Sequence, residues 1–208
     1  MKKSTFYNFA GLNFVTASKR EVIETLYLQS IIDSYQHISK KTGLENDIRD
    51  RFYWDLKKRN PITKDLIDRD ILEIIQENPE MVSETEKSRV DLKFFMSHHK
   101  FEIECKRLFQ QPSKNEAYIN DGLVRFINLK YAEKNEYAGM IGFIVTGEVD
   151  KIQHELSNKV SDYHVDNTSK IKINKQLNWK NSFISNHIKN DNSKIKVYHL
   201  FFQFTDKE

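Results

Sequence analysis

Two acidic residues and a lysine near the middle of the chain, Asp91, Glu104 and Lys106, are of the types that bind divalent metal ions and stabilise negative charge. Glu104 and Lys106 are two residues apart in FEIECKRL, where apolar and polar residues alternate, and a similar alternation surrounds Asp91 in RVDLKFF. Alternation with period two is typical of β-strands, in which residues two apart project from the same face. The pattern predicts a hairpin of two strands that carries all three side chains.

The length of the hairpin loop decides which residues face each other. With a two-residue loop (residues 97–98), Asp91 lies opposite Glu104; with a four-residue loop, it lies opposite Lys106. A slip of one residue would place Asp91 opposite Cys105, on the other face. Both of the first two registers bring two carboxylates and one ammonium group together.

Two carboxylates at close range can hold a hard cation such as Mg²⁺. A bound metal ion polarises a phosphoryl oxygen and lowers the pKa of a bound water, which generates a nucleophile for phosphodiester hydrolysis. We expect Lys106 to orient this water and to stabilise the developing negative charge; the sequence leaves open whether it also removes a proton. The alternative is an ordinary solvated strand face on which Glu104 and Lys106 form cross-strand ion pairs.

Asp91 followed by Glu104-Cys105-Lys106 resembles the signature of the PD-(D/E)XK, or restriction-endonuclease-like, nuclease superfamily. The resemblance covers residues 44–147 and implies an αβββαβ core, with a mixed central sheet flanked by helices. Val90 stands where the family name has Pro. Members of the family are mostly Mg²⁺-dependent DNA nucleases of restriction, repair or phage defence, and a minority cleave RNA.

The resemblance implies a role for each residue of the signature. Asp91, Glu104 and the main-chain carbonyl of Cys105 would bind Mg²⁺, with Mn²⁺ as an alternative, and Lys106 would be the catalytic lysine. The family often supplies another carboxylate from its first core helix, and Glu45 is the best match. The other interpretation of Glu45 is a carboxylate that favours the positive N-terminal end of a helix.

Apolar periodicity predicts the elements that position these residues. Ser18 and Glu21 form a capping-box pattern at the start of the first helix. The predicted helices cover residues 18–38, 45–60, 63–77, 117–132 and 149–160, and the strands outside the hairpin cover 137–146 and 195–205. Residues 164–194 have no clear period.

This order of elements predicts an α/β fold with helices packed on the faces of a mixed sheet. We expect one nuclease domain over residues 1–208. It would consist of a helical N-terminal extension (1–43), a catalytic core (44–147) and a C-terminal part (148–208) with a helix, a basic segment and a closing strand.

Two groups of polar residues are candidates for contact with nucleic acid. In the family, positions after the signature often touch the substrate backbone, which points to Gln110 and Arg125. Residues 167–196 contain seven Lys, one Asp and seven Asn, a local charge of +6. Basic residues and amides suit phosphates and base edges, although lysine-rich surface loops are also common without a function. The lysines that we expect to bind nucleic acid are Lys170, Lys172 and Lys175.

The composition of the 208-residue chain sets limits on its class. Its apolar fraction of 38% suffices for a core, and its net charge of +3 is too small to establish a polyanionic partner. A single cysteine excludes an internal disulfide framework and a cysteine-based zinc site. No apolar run approaches the ~20 residues of a membrane span, and the first residues lack a signal-peptide pattern. We therefore expect a cytoplasmic protein without membrane contact.

The favoured interpretation is a metal-dependent endonuclease that hydrolyses DNA in a microbial restriction or phage-defence setting. One alternative is an RNA-directed nuclease on the same fold. Another is a nucleic-acid-binding or assembly module without catalysis. The expected partners are DNA or RNA, together with a second copy of the chain or a partner protein of a defence system.

Overall fold

The computed structural model describes residues 8–9, 12–13, 17–81, 87–132, 134–161 and 179–205. The strands are β1 (Asn8–Phe9), β2 (Leu12–Asn13), β3 (Glu73–Met81), β4 (Lys87–Met96), β5 (His99–Leu108), β6 (Tyr137–Ile144), β7 (Ser182–Ile188) and β8 (Lys194–Gln203). The α-helices are α1 (Lys19–Glu21), α2 (Gln29–His37), α3 (Glu45–Lys58), α4 (Pro61–Asp68), α5 (Val124–Ile127) and α6 (Val149–Ser161). A π-helical stretch (Val22–Leu28) joins α1 to α2, and a 3₁₀ turn (Pro112–Asn115) and a second π-helical stretch (Tyr118–Leu123) precede α5.

Six of these strands form one mixed sheet in the order β3-β4-β5-β6-β8-β7. β4 runs antiparallel to both β3 and β5, β6 is parallel to both β5 and β8, and β7 runs antiparallel to β8. The two-residue strands β1 and β2 pair with each other.

Both faces of the six-stranded sheet are covered by helices. On one face, Phe52 of α3 belongs to the same buried cluster as Phe94 of β4. On the other face, Phe126 of α5 and Leu156 of α6 pack with Met140 of β6. The α/β class predicted from the order of elements is confirmed. Among the described residues, no helix combines the length and the apolar character needed to cross a membrane.

The helical run that begins at Lys19 starts as the sequence predicts. The backbone N–H of Glu21 donates to Ser18 Oγ (3.3 Å), and the backbone N–H of Ser18 donates to Glu21 Oε2 (2.7 Å). This reciprocal pair is a capping box, which satisfies two N–H groups that have no acceptor inside the helix.

The helix predicted over residues 63–77 is wrong in its second half. The helix α4 ends at Asp68, and the strand β3 starts at Glu73. Asp70 has a φ of +57°, a left-handed conformation that ends a helix. The isoleucines that follow are β-branched and suit a strand, where Ile74 pairs with Phe94. Pro79 is tolerated because β3 is an edge strand.

A second strand was not predicted, because β7 lies inside the segment expected to be irregular. Its core-facing positions include Ser185 and His187, which are buried although they are polar. Polar residues at core positions remove the apolar alternation on which strand prediction depends.

The helix predicted over 117–132 is also shorter in the structure. Its helical conformation ends at Ile127, and Leu129 (φ +61°) and Ala132 (φ +52°) lie in the left-handed region beyond it. This irregular turn brings Tyr131 back beside the helix, and Tyr131 is important for the candidate site.

The hairpin formed by β4 and β5 has the register expected for a two-residue loop. Met96 lies opposite His99, and Leu92 lies opposite Ile103. The turn at residues 97–98 includes Ser97 at a φ of +54°. In this register the next positions along the two strands are Asp91 and Glu104, so the four-residue alternative is wrong.

Candidate functional site

The pairing of β4 with β5 ends at Leu92 and Ile103, and Asp91 is the next residue of β4. One carboxylate oxygen of Asp91, Oδ2, accepts a hydrogen bond from the backbone N–H of Cys105 (2.7 Å). The other, Oδ1, accepts from Arg49 Nη1 (2.8 Å). The side chain of Asp91 therefore bonds to the neighbouring strand where the backbone ladder stops, which fixes its carboxylate in the gap between the strands.

The ammonium group of Lys106 lies among three oxygens. Its Nζ atom is 2.6 Å from Glu104 Oε1, 3.1 Å from the carbonyl oxygen of Cys105 and 3.7 Å from Glu45 Oε1. These oxygens belong to three of the four groups that the family resemblance assigns to the metal. The protein thus gathers a set of negative and polar oxygens around one cation of its own.

Glu45 reaches this set because α3 begins beside β5. Its Oε2 atom accepts a hydrogen bond from the backbone N–H of Arg107 (2.9 Å), and Arg107 Nη1 donates to the carbonyl of Gly43 (3.2 Å). Glu45 is the first residue of α3, the position that the helix-end interpretation requires. Its carboxylate also lies next to Lys106, so the position is equally compatible with the metal-binding interpretation.

Arg125 approaches the same set from α5. Its Nη1 atom donates to Glu104 Oε1 (3.1 Å) and to the hydroxyl of Tyr131 (2.6 Å). The side chain is 38% exposed, whereas that of Glu104 is 2% exposed. The guanidinium group is therefore anchored by Glu104 and Tyr131 and partly exposed to solvent.

Gln110, which was also predicted to bind nucleic acid, is not brought to this set. Gln110 lies beyond the end of β5, where its side chain is exposed and its backbone N–H donates to Thr146 Oγ1 (3.2 Å). The three lysines of the basic segment, Lys170, Lys172 and Lys175, lie outside the described residues, so their role stays a prediction.

Two residues of the site were not singled out from the sequence. Arg49, which is 3% exposed and holds Asp91, lies four residues after Glu45, and this spacing places both on one face of α3. From the sequence, this spacing could have identified Arg49 as a residue of the site. No sequence signal pointed to Tyr131, because its position depends on the residues with left-handed backbone conformation around it.

The site strongly alters the ionisation of Glu104. Burial, followed by the negative charge of Asp91, raises the pKa of Glu104 to about 7, although Lys106 and Arg125 act against this. Burial opposes the charge of Lys106, but Glu104 and Glu45 outweigh it and raise the pKa of the ammonium group. A buried acid with a strongly raised pKa beside a charged lysine is a candidate functional group, and structural ion-pair networks shift pKa values in the same way.

The comparisons with known proteins do not identify a protein that is similar to this chain. No protein-family model matches the chain, and no curated protein and no solved structure matches it either. Proposals about function therefore depend on the geometry described above.

The oxygens of this site suit Mg²⁺, which keeps part of its water shell, better than a metal ion whose ligands are all side chains. Within the described parts of the chain, no three His, Cys, Asp or Glu side chains form a group that could hold a metal ion. Mg²⁺, however, usually keeps several waters and needs only one or two carboxylates. Among the described residues, Glu104 Oε2 is buried without a hydrogen-bond partner, and the Cys105 carbonyl is adjacent. These oxygens suit a hydrated divalent cation.

The raised pKa of Glu104 predicts that stability depends on pH. Because the folded-state pKa of about 7 exceeds the ordinary 4.5, the folded protein binds this proton more tightly than the unfolded chain does. Its contribution to stability is complete below pH 4.5 and is lost as the pH rises to about 7. We expect the unfolding free energy of the wild type to fall relative to Glu104→Gln across this range. Urea unfolding with EDTA between about pH 5 and pH 8 measures this, and a constant difference would contradict it.

Proposed function

We propose that this protein is a metal-dependent nuclease that hydrolyses phosphodiester bonds in DNA. The observation that carries the proposal is the convergence of Glu104, the Cys105 carbonyl and Glu45 on the Lys106 ammonium, next to the Asp91 carboxylate. The order of α3, β3, β4, β5, the helical stretch before β6, and β6 itself, with α4 as an additional helix between α3 and β3, supports a restriction-endonuclease-like core around these residues. Restriction or phage defence is the biological setting that the resemblance implies.

Each residue has a distinct part in the proposed reaction. Asp91, Glu104 and the Cys105 carbonyl would hold Mg²⁺, and Glu45 would contact one of its waters. When bound, the ion supplies a polarised phosphoryl oxygen and a water of lowered pKa. Lys106 orients the attacking water and stabilises the charge that develops on the phosphate.

Two arginines would support this reaction without taking part in proton transfer. Arg49 holds Asp91 Oδ1 and so keeps the carboxylate aimed at the site. Arg125 would bind a non-bridging oxygen of the scissile phosphate, since its planar fork can bridge Glu104 and a second anion.

One observation favours a binding module without catalysis. Asp91 is paired with Arg49, and Glu104 with Lys106 and Arg125, so cations of the chain itself occupy the carboxylates proposed as metal ligands. Ion pairs of this kind also occur in proteins that have no metal. The proposed function requires that Mg²⁺ displaces some of these contacts.

A cleavage assay that compares two protein variants, each with one substitution in β5, tests the proposal. We expect the purified protein to nick plasmid DNA with Mg²⁺ or Mn²⁺ and to lose this activity in EDTA. Glu104→Gln should reduce cleavage by about a hundredfold or more. Glu102→Gln is the matched control, because Glu102 is also a buried glutamate on the same face of β5 and lies beside Lys100 rather than Lys106.

The outcomes separate the alternatives. If only single-stranded or structured RNA is degraded, the RNA-directed alternative replaces the DNA proposal. If DNA is retained on a gel without cleavage under any metal condition, the binding module is favoured. If Glu104→Gln cleaves as fast as the wild type does, the catalytic role of this site is excluded.

A further inference from the structure

A cavity of about 540 Å³ opens at the end of the sheet where β6 begins and where β7 turns into β8. Small-molecule sites typically measure about 300–1,000 Å³. Tyr137, His187 and Ile195 line it together with polar and charged groups, namely Glu136, Asn186, Ser193, Lys194 and Lys196. It shares no lining residue with the candidate active site.

Three of these side chains form a row across adjacent strands. Tyr137 of β6 lies directly opposite Lys196 of β8, which in turn lies opposite Asn186 of β7. Directly opposed residues point to the same face of a sheet, so an aromatic ring, an ammonium group and an amide lie side by side. Lys196 Nζ is 5.8 Å from the centre of the Tyr137 ring, and Lys19 Nζ is 6.0 Å from it.

The charges around this row favour an anion. The lining contains two lysines and one glutamate. The nearby carboxylate of Glu24 is shared between Arg20 Nε (2.9 Å) and the hydroxyl of Tyr198 (2.7 Å). Burial and then the charge of Arg20 lower the pKa of Lys196, and Glu24 only partly opposes them. A phosphate beside Lys196 would relieve this repulsion.

The strand that carries Asn186 is fixed from the opposite face of the sheet. His187 is the next residue along β7, so its ring projects away from the row. Its Nε2 atom lies 2.6 Å from Ser185 Oγ, which is 2.8 Å from Nε2 of His199. His199 Nδ1 is in turn 2.9 Å from the hydroxyl of Tyr118. These buried contacts hold β7 in place and so position Asn186 at the cavity.

We propose that this cavity binds a nucleoside 5′-monophosphate. The base lies against Tyr137 with its edge on the Asn186 amide, and the phosphate lies between Lys194 and Lys196. The ribose hydroxyls donate to the carboxylate of Glu136. A bare anion would be repelled by Glu136 and would leave the aromatic wall uncovered, whereas a nucleotide satisfies the base, sugar and phosphate positions together.

The proposal is independent of nuclease activity, and calorimetry in EDTA with the full chain tests it. The probes are AMP, GMP, CMP, UMP, adenosine and inorganic phosphate. We expect at least one nucleotide to bind with a Kd below about 1 mM, and adenosine and inorganic phosphate to bind at least tenfold more weakly.

Two variants and two controls locate the binding. Lys196→Gln should weaken the nucleotide about tenfold, and Tyr137→Leu should weaken it by a similar factor. Lys151→Gln, which replaces a lysine on α6 that is 77% exposed, should change nothing. Glu104→Gln should also leave the affinity unchanged, because it lies at the other site. Circular dichroism confirms that each variant is folded.

Several results would overturn the proposal. These are no heat with any nucleotide up to about 10 mM, equal affinity for inorganic phosphate, or an affinity that Lys196→Gln leaves unaltered. A short oligonucleotide that binds about tenfold tighter than the monophosphates would replace it with a strand-binding surface. Loss of binding in Glu104→Gln would place the nucleotide at the candidate active site instead.

Discussion

Lys106→Met is expected to slow DNA cleavage by about two to three orders of magnitude without unfolding the protein. The Lys106 side chain is 13% exposed, and its ammonium group is the point on which Glu104, the Cys105 carbonyl and Glu45 converge. Methionine keeps an unbranched chain of similar length but has no charge with which to orient water or stabilise a phosphate. The rate of plasmid nicking in Mg²⁺ measures the effect.

The chain offers a control with nearly the same local geometry. Lys100 and Glu102 are also two residues apart on the same face of β5, and Lys100 Nζ lies 2.5 Å from Glu102 Oε1. If a lysine–glutamate pair on this strand were only structural, Lys100→Met and Lys106→Met would behave alike. We expect Lys100→Met to cleave at nearly the wild-type rate. Equal activity of the two variants would contradict the catalytic assignment.

Metal-binding measurements distinguish two roles of Lys106, which could either compete with the metal ion for the surrounding oxygens or hold these oxygens in place for it. Removing its ammonium group leaves the three surrounding oxygens without this cation, so Lys106→Met should bind Mn²⁺ at least as tightly as the wild type. Glu104→Gln should bind it more weakly, because a charged ligand is lost. Calorimetric titration with Mn²⁺ measures both affinities. Weaker binding by Lys106→Met would mean that the lysine organises the oxygens rather than competing with the metal.

The hairpin could be predicted from the sequence because its pattern is local. Alternation with period two defines both strands, and a two-residue loop then determines that Asp91 comes opposite Glu104. The structure adds two contacts to this register, one between Asp91 and the Cys105 backbone and one between Lys106 and Glu104. The catalytic part of the assignment remains a proposal, since the same pattern also fits a solvated strand face.

The elements that were missed depend on contacts distant in the sequence. The isoleucines of β3 fit a helical stripe as well as a strand, and pairing with β4 decides between them. In β7, Ser185 and His187 are buried because His199 of β8 supplies a hydrogen-bonding partner to Ser185, which no local pattern reveals. Tyr131 likewise joins the site only through the left-handed turn after α5, whereas Arg49 had a local signal in its spacing from Glu45.

Phe52→Ala is expected to destabilise the protein by about 3–5 kcal/mol. The Phe52 side chain is fully buried, and its ring lies 5.7 Å from that of Phe143 and 5.2 Å from that of Phe202, measured between ring centres. These contacts fix α3, which carries Glu45 and Arg49, against the sheet. Urea unfolding at one pH measures the change in the free energy of unfolding.

Trp54→Ala provides the comparison, because Trp54 lies on the same helix but is 56% exposed. Its replacement should change stability by no more than about 0.5 kcal/mol. Should Phe52→Ala fail to fold, Phe52→Leu, which keeps most of the buried volume, is expected to cost about 1 kcal/mol. Similar losses for Phe52→Leu and Trp54→Ala would contradict the packing of α3. The carboxylate of Glu45 would then have no rigid support beside Lys106, so the same measurement also tests how the candidate site is held together.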